Sequence, residues 1–358
     1  MSNGPSNRYL CLLRHHQAKI FGIIVVLEDS VVKRVFGVIA LALGMMFCAG
    51  AEVAPQGWRS RDDRAEKTRG VRLSSFDIPF VPTNAPRSRV SVGLRVIPGK
   101  NMPFVSATLN GRECNLLFDT GATHTTFDIG FMRRALPEVR LDHVVLGGNT
   151  NVEGAPKIFH VDSLKLGDAA FGGFEAMALD ISHLVPEIGV KVDGIVGMNV
   201  IGRVPALVSL GSGKAVFLPG RDDLVGFGRG IARSVSDPFT VALAPKYNGK
   251  AVPLIVDSAA SMTILGTAVG WPSAKKTLDI DAVEVNGKSE ITTDTGVPGK
   301  LALGEDVEIA PVLVDELISR IGADTLLKYD MLVDEVQARF RKCGGAPQSM
   351  GAIPSPSR

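Results

Sequence analysis

Two twelve-residue segments constrain this chain more than any other feature: LLFDTGATHTTF at 116–127 and LIVDSAASMTIL at 254–265. Each is a strand-like apolar run ending on an aspartate. A hydroxyl residue and two small residues follow, with a threonine six positions beyond the aspartate (Thr125, Thr263). One such tripeptide recurs by chance, whereas two in matching context point to a repeat. The surroundings keep the same order. Asn110-Gly111 and Asn248-Gly249 each end eight residues before their aspartate. Asn-Gly favours positive φ at both positions and so makes a two-residue hairpin turn. LKLG ends at Gly167 and LALG at Gly304, which are 48 and 47 residues after the aspartates. GIVGMNVIGR around Gly197 and RIGADTLLKY around Gly322 each set a glycine in a helix-like stretch, and basic strand endings close at Phe217 and Phe340. Six landmarks in one order read as an internal duplication.

An apolar strand, then Asp-Thr/Ser-Gly-Ala, then a distant apolar-apolar-Gly segment resembles the aspartic peptidases, in particular the retropepsin-like branch and its two-lobed bacterial relatives. The resemblance covers residues 85–342. It implies a mainly β fold of two homologous acid-protease-like β-barrel lobes with a cleft between them. Each lobe would supply one aspartate from a ψ-shaped loop threaded by the apolar-Gly segment. The first half matches at Asp119, Thr120, Gly121, Ala122 and Thr125, and at Ile195-Val196-Gly197. The second supplies Asp257, Ser258, Ala260 and Thr263, and departs twice. Ala259 stands where the family has glycine, and Arg320-Ile321-Gly322 carries a cation where an apolar residue is usual.

Two aspartates suit metal-free peptide hydrolysis, which needs a base to activate water and an acid to protonate the carbonyl oxygen. Carboxyl groups about 3 Å apart cannot both ionise cheaply, so they share one proton and titrate as a unit. The expected function is therefore an aspartic endopeptidase acting on an extended polypeptide, with Asp119 and Asp257 catalytic and no cofactor or metal. By the resemblance, the Thr120 and Ser258 hydroxyls would hydrogen-bond across the interface of the halves. Two alternatives stand beside this reading. One is a decayed pseudoprotease that binds peptides without cutting them. The other is a homodimer that pairs Asp119 with its own copy and leaves the second half structural.

Other chemistries find little support. The histidines at 124, 143, 160 and 183 show no metal-ligand spacing, and no GxSxG elbow is present. The glycines of VGFGRG (226, 228, 230) lack the strand-then-helix context of a nucleotide loop and read as linker. A formal net charge of +2 without a dense basic stripe gives no reason to expect nucleic acid. A third DTG, at Asp294-Thr295-Gly296, lacks an apolar strand before it and is expected in a hairpin turn.

Val31-Val32-Lys33-Arg34 ahead of VFGVIALALGMMFCAGA reads as a signal peptide spanning 31–51 within a leader of 1–51, cleaved after Ala51. It predicts a secreted or periplasmic protein; left uncleaved, it would be a membrane anchor. Residues 52–84 form a charged, flexible segment. The first lobe is expected over 85–220, a linker over 221–236, the second lobe over 237–342 and a Gly/Pro/Ser-rich disordered tail over 343–358. FMRRAL, ended by Pro137, is one of few helical stretches. LGGNTNVEG (146–154) occupies the family's flap region, where Gly147 and Gly148 would let a hairpin close over substrate, and Thr123 and His124 are expected to contact that substrate. Cys114 and Cys343 could pair in an oxidising compartment or remain as buried thiols. A monomer is expected.

Overall fold

A computed structural model describes residues 80–143, 156–233, 240–266, 271–284, 287–304, 306–314 and 319–343. The segment expected to be a signal peptide, nearly all of the charged N-terminal segment, Gly147 and Gly148 of the expected flap, and the tail after Cys343 lie outside the described residues. The fold is mainly β, with a few short helices.

Both Asn-Gly pairs form the predicted turns. Asn110 and Gly111 have φ of 43° and 84°, and Asn248 and Gly249 have 48° and 83°. Two successive left-handed residues match the twist of the strands that they join. The first turn closes the hairpin of strands Pro103–Leu109 and Arg112–Phe118. The second joins Lys246–Tyr247 to Lys250–Ala251.

After Phe118 the chain leaves its sheet at Asp119, loops, and re-enters as strand Thr126–Asp128. Between these two lies strand Gly194–Val196, parallel to the first (Leu117↔Ile195) and antiparallel to the second (Thr126↔Ile195). Residues 254–321 repeat this arrangement. Strand Leu254–Val256 runs parallel to Ser319–Ile321 (Ile255↔Arg320), which lies antiparallel to Ile264. Thus Ile195 and Arg320 occupy the same register in their respective sheets.

A six-stranded sheet takes strands from both halves of the chain. At its centre Ala206–Ser209 pairs antiparallel with Tyr329–Val333 (Leu207↔Leu332). Its edges are Val90–Gly93, beside Lys214–Phe217, and Ile231–Ala232, beside Gln337–Lys342. The second edge strand lies inside the segment expected to be linker. That segment also holds a 3-10 turn at Arg221–Leu224, fixed by the Arg89–Asp223 ion pair at 2.7 Å. One apolar core runs through both halves, from Phe118, Phe127 and Phe159 to Val256, Leu301 and Phe340. Helix Ile129–Ala135 matches the expected one. The Asp128 side chain caps it by accepting from the Phe131 N–H at 2.6 Å, and its basic last turn ends just ahead of Pro137.

The third DTG does not form a turn. Asp294 lies within strand Gly287–Gly296, opposite Thr277 and Leu313, and its carboxylate accepts from the Ser273 hydroxyl at 2.7 Å. The β-branched Thr292, Thr293 and Thr295 extend the strand through it, and the chain turns only at Val297-Pro298. Cys114 and Cys343 are free thiols, not a disulfide. Cys114 packs in the core, while Cys343 donates to Asp330 at 3.3 Å. Burial first, then the nearby Asp193 and Asp330 respectively, pushes each thiol up to about 12.

Candidate active site

The two aspartates stand at the ends of equivalent strands and are held by equivalent bonds. The Asp119 N–H donates to the Val196 carbonyl at 3.1 Å, and the Asp257 N–H to the Ile321 carbonyl at 2.9 Å. Asp119 Oδ1 accepts from the N–H groups of Gly121 (2.8 Å) and Ala122 (3.0 Å). Asp257 Oδ1 accepts from Ala259 (3.0 Å) and Ala260 (2.9 Å). Two backbone donors on one oxygen fix each carboxyl and leave its second oxygen directed elsewhere.

The loops interlock through their hydroxyls, as the resemblance implied. Thr120 Oγ1 donates to the Val256 carbonyl at 2.8 Å, and the Thr120 N–H donates to Ser258 Oγ at 3.0 Å. Ser258 Oγ donates to the Phe118 carbonyl at 2.7 Å, and the Ser258 N–H donates to Thr120 Oγ1 at 3.0 Å. Both residues are fully buried. With no water competing, this four-bond lock holds the loops in register.

Glycine is needed beneath each loop. A Cβ on Gly197 would lie 2.7 Å from the His124 carbonyl carbon, and one on Gly322 would meet the carbonyl oxygens of Met262 and Ala260. Thr125 Oγ1 accepts from the Gly197 N–H at 3.2 Å, and Thr263 Oγ1 from the Gly322 N–H at 3.1 Å. Thr125 in turn donates to Asn199 Oδ1 from both its N–H and its hydroxyl, and Thr263 donates to Asp324. Asn199 and Asp324 were not singled out from the sequence. The available signal was a polar residue two positions after each glycine.

Gly121 brings the first loop close against the second half. A Cβ built on it would lie 2.5 Å from Asp257 Cγ, so the Asp257 carboxyl occupies the space that a side chain would need. Asp119 and Asp257 interact directly. Burial, then the neighbouring Asp257 carboxyl, raises Asp119 well above the ordinary carboxylate range against the pull of its two amide donors. One proton on the pair is the arrangement that this geometry favours.

The two departures of the second half have structural accounts. Ala259 still donates to Asp257, and its methyl joins an apolar cluster with Ala122, Phe104, Leu117 and Ile195. Arg320 puts Nη1 3.5 Å from Asp257 Oδ2. His124 differs from expectation. It is 7% exposed, lies edge-on to Phe80 at 4.6 Å, and contacts Thr123 Oγ1 through Nδ1, which leaves it little surface for a substrate. A surface cavity of about 280 Å³ lined by Asp128, Arg133, Asp180 and Lys191 lies apart from the paired aspartates.

Residues 105–200 match a family model described as aspartyl protease. This span contains Asp119, its loop and Gly197. No curated protein matches the chain.

Proposed function

We propose that this chain, an aspartyl protease of the retropepsin-like type by its residues 105–200, is an endopeptidase whose catalytic pair is Asp119 and Asp257. The reciprocal lock between Thr120 and Ser258 carries the reading, because it sets two aspartates from one chain against each other. In this reading the two halves, 85–220 and 237–342, are homologous lobes descended from a duplication, and an extended polypeptide lies in the cleft between them. The ionised carboxyl takes a proton from a water held between the pair. The resulting hydroxide attacks the peptide carbonyl carbon while the protonated carboxyl gives its proton to the carbonyl oxygen. The pair then returns a proton to the leaving amine nitrogen as the C–N bond breaks. Thr120, Gly121, Ala122 and Thr125, with Ser258, Ala259, Ala260 and Thr263, position the carboxyls, and Thr123 borders the substrate.

Support for a monomeric site comes from the lock being made within one chain, where the homodimeric alternative would pair two copies of Asp119. Retention of both amide donors to Asp257 despite Ala259 favours an active pair over a decayed one. The leader supports export to the periplasm or beyond, with the membrane involved only if the leader stays uncleaved. The test is cleavage of a denatured protein substrate between pH 3 and 7 by the mature chain. Asp119→Asn is expected to lose about 10²–10⁴-fold in rate; cleavage equal to wild type by that variant overturns the assignment.

A further inference from the structure

The two aspartates share a loop geometry but not their surroundings. In the register beside Asp119 the strand carries Ile195, which is 2% exposed and packed with Phe104, Leu117, Leu184 and Ile188. In the same register beside Asp257 it carries Arg320, with Nη1 3.5 Å from Asp257 Oδ2. The amide donors are equal in number on the two sides, so they do not distinguish the carboxyls. A cation on one side and an aliphatic wall on the other do.

We infer that Arg320 sets the charge of the pair, holding Asp257 as the resting carboxylate and leaving the shared proton on Asp119. This rests on reading the pair as the proteolytic centre, and it deepens that reading by assigning the two roles: Asp257 takes the water's proton and Asp119 donates to the carbonyl oxygen. When two carboxyls occupy environments that favour opposite charge states, the environments assign acid and base. Among the described residues, the charged groups set against Asp257 are Asp119, from the facing loop, and Arg320, from strand Ser319–Ile321. Strand Leu254–Val256 and the Ala259-Ala260 turn present only apolar side chains and backbone. His124 of the facing loop is turned onto Thr123 and Phe80.

The consequence is a wider acid range. A nearby cation makes the first proton easier to remove, so the singly ionised pair persists to lower pH. The Arg320 side chain is 34% exposed, so solvent screening keeps the effect modest.

The test is carboxyl carbon NMR on protein labelled at aspartate Cγ, titrated in wild type, Arg320→Gln and Arg320→Lys, with peptide-cleavage pH profiles alongside. Arg320→Gln should move the pair's first ionisation to higher pH and cut kcat/KM several-fold on the acid side. Arg320→Lys should restore most of the wild-type profile. An Arg320→Gln titration that superposes on wild type overturns the inference. So does a loss of rate equal at every pH, which would mark a merely structural role. If no form cleaves peptide, wild type included, the proteolytic reading fails while the NMR titration still judges Arg320.

Discussion

Adding one methyl group to Gly121 should disable the site, whereas removing one from the equivalent Ala259 should not. A Cβ at Gly121 would lie 2.5 Å from Asp257 Cγ and 2.7 and 2.8 Å from its two oxygens. Non-bonded carbons settle at about 3.5–4.0 Å, so the carboxyl or the loop must yield by about 1 Å. The carboxyl is tied by two amide donors and the loop by the Thr120–Ser258 lock, so neither moves freely. Overpacking of this kind costs about 1–3 kcal/mol of stability, and a 1 Å misplacement of a reacting group costs about 10² in rate. Ala259→Gly removes a methyl that packs against apolar neighbours and frees the backbone, at roughly 1 kcal/mol in all. Urea denaturation and kcat/KM on one peptide substrate measure both variants. Gly121→Ala that keeps wild-type kcat/KM would refute the account of how closely the halves approach. Activity gained on Ala259→Gly would instead identify a decayed site.

Thr120→Val removes the acceptor of the buried Ser258 N–H and the donor to the Val256 carbonyl; at about 1–3 kcal/mol per orphaned group it should destabilise by roughly 2 kcal/mol or more, read from the urea midpoint. Asp119→Asn should gain stability relative to wild type as pH rises. A carboxyl whose folded value is raised contributes stability fully below the ordinary carboxylate range, near pH 4, and loses it as pH climbs through the folded value. The Tm difference between wild type and Asp119→Asn should therefore move in the variant's favour between pH 4 and 8, and a difference independent of pH would contradict the burial of an interacting pair. Gly197→Ala should fail to accumulate as folded protein or unfold well below wild type, because its Cβ meets the His124 and Ala122 backbone; an unchanged Tm would contradict the threading of the loop.

The features legible in the sequence were those that local chemistry fixes. The Asn-Gly turns, the strand ends at Asp119 and Asp257 and the capped helix after Asp128 follow from φ preferences and short-range patterning. Pairings between distant segments were not legible. Nothing within Ile231–Ala232 distinguishes an edge strand from a Gly-rich connection until Gln337–Lys342 is beside it. The Asp294 segment was misread because DTGVPG carries turn chemistry, yet the turn begins only after its glycine. Arg320 stood out as a departure, but its partner became visible only when the parallel pairing of Leu254–Val256 with Ser319–Ile321 brought it beside Asp257. His124 looked available from its place after the motif, and Phe80, 44 residues earlier, is what covers it.

The central claim is that Asp119 and Asp257 of one chain form a single catalytic pair. Its most direct test is the cleavage rate per mole of Asp257→Asn, Asp119→Asn and wild type on one denatured protein substrate, over a hundredfold dilution series, with the two variants also mixed. The account predicts that each variant falls by about 10²–10⁴-fold, that mixing restores nothing, and that the wild-type rate per mole is unchanged by dilution. An Asp257→Asn enzyme as active as wild type, with a rate per mole that collapses on dilution, would contradict it and make the site one that two copies of the first half build together.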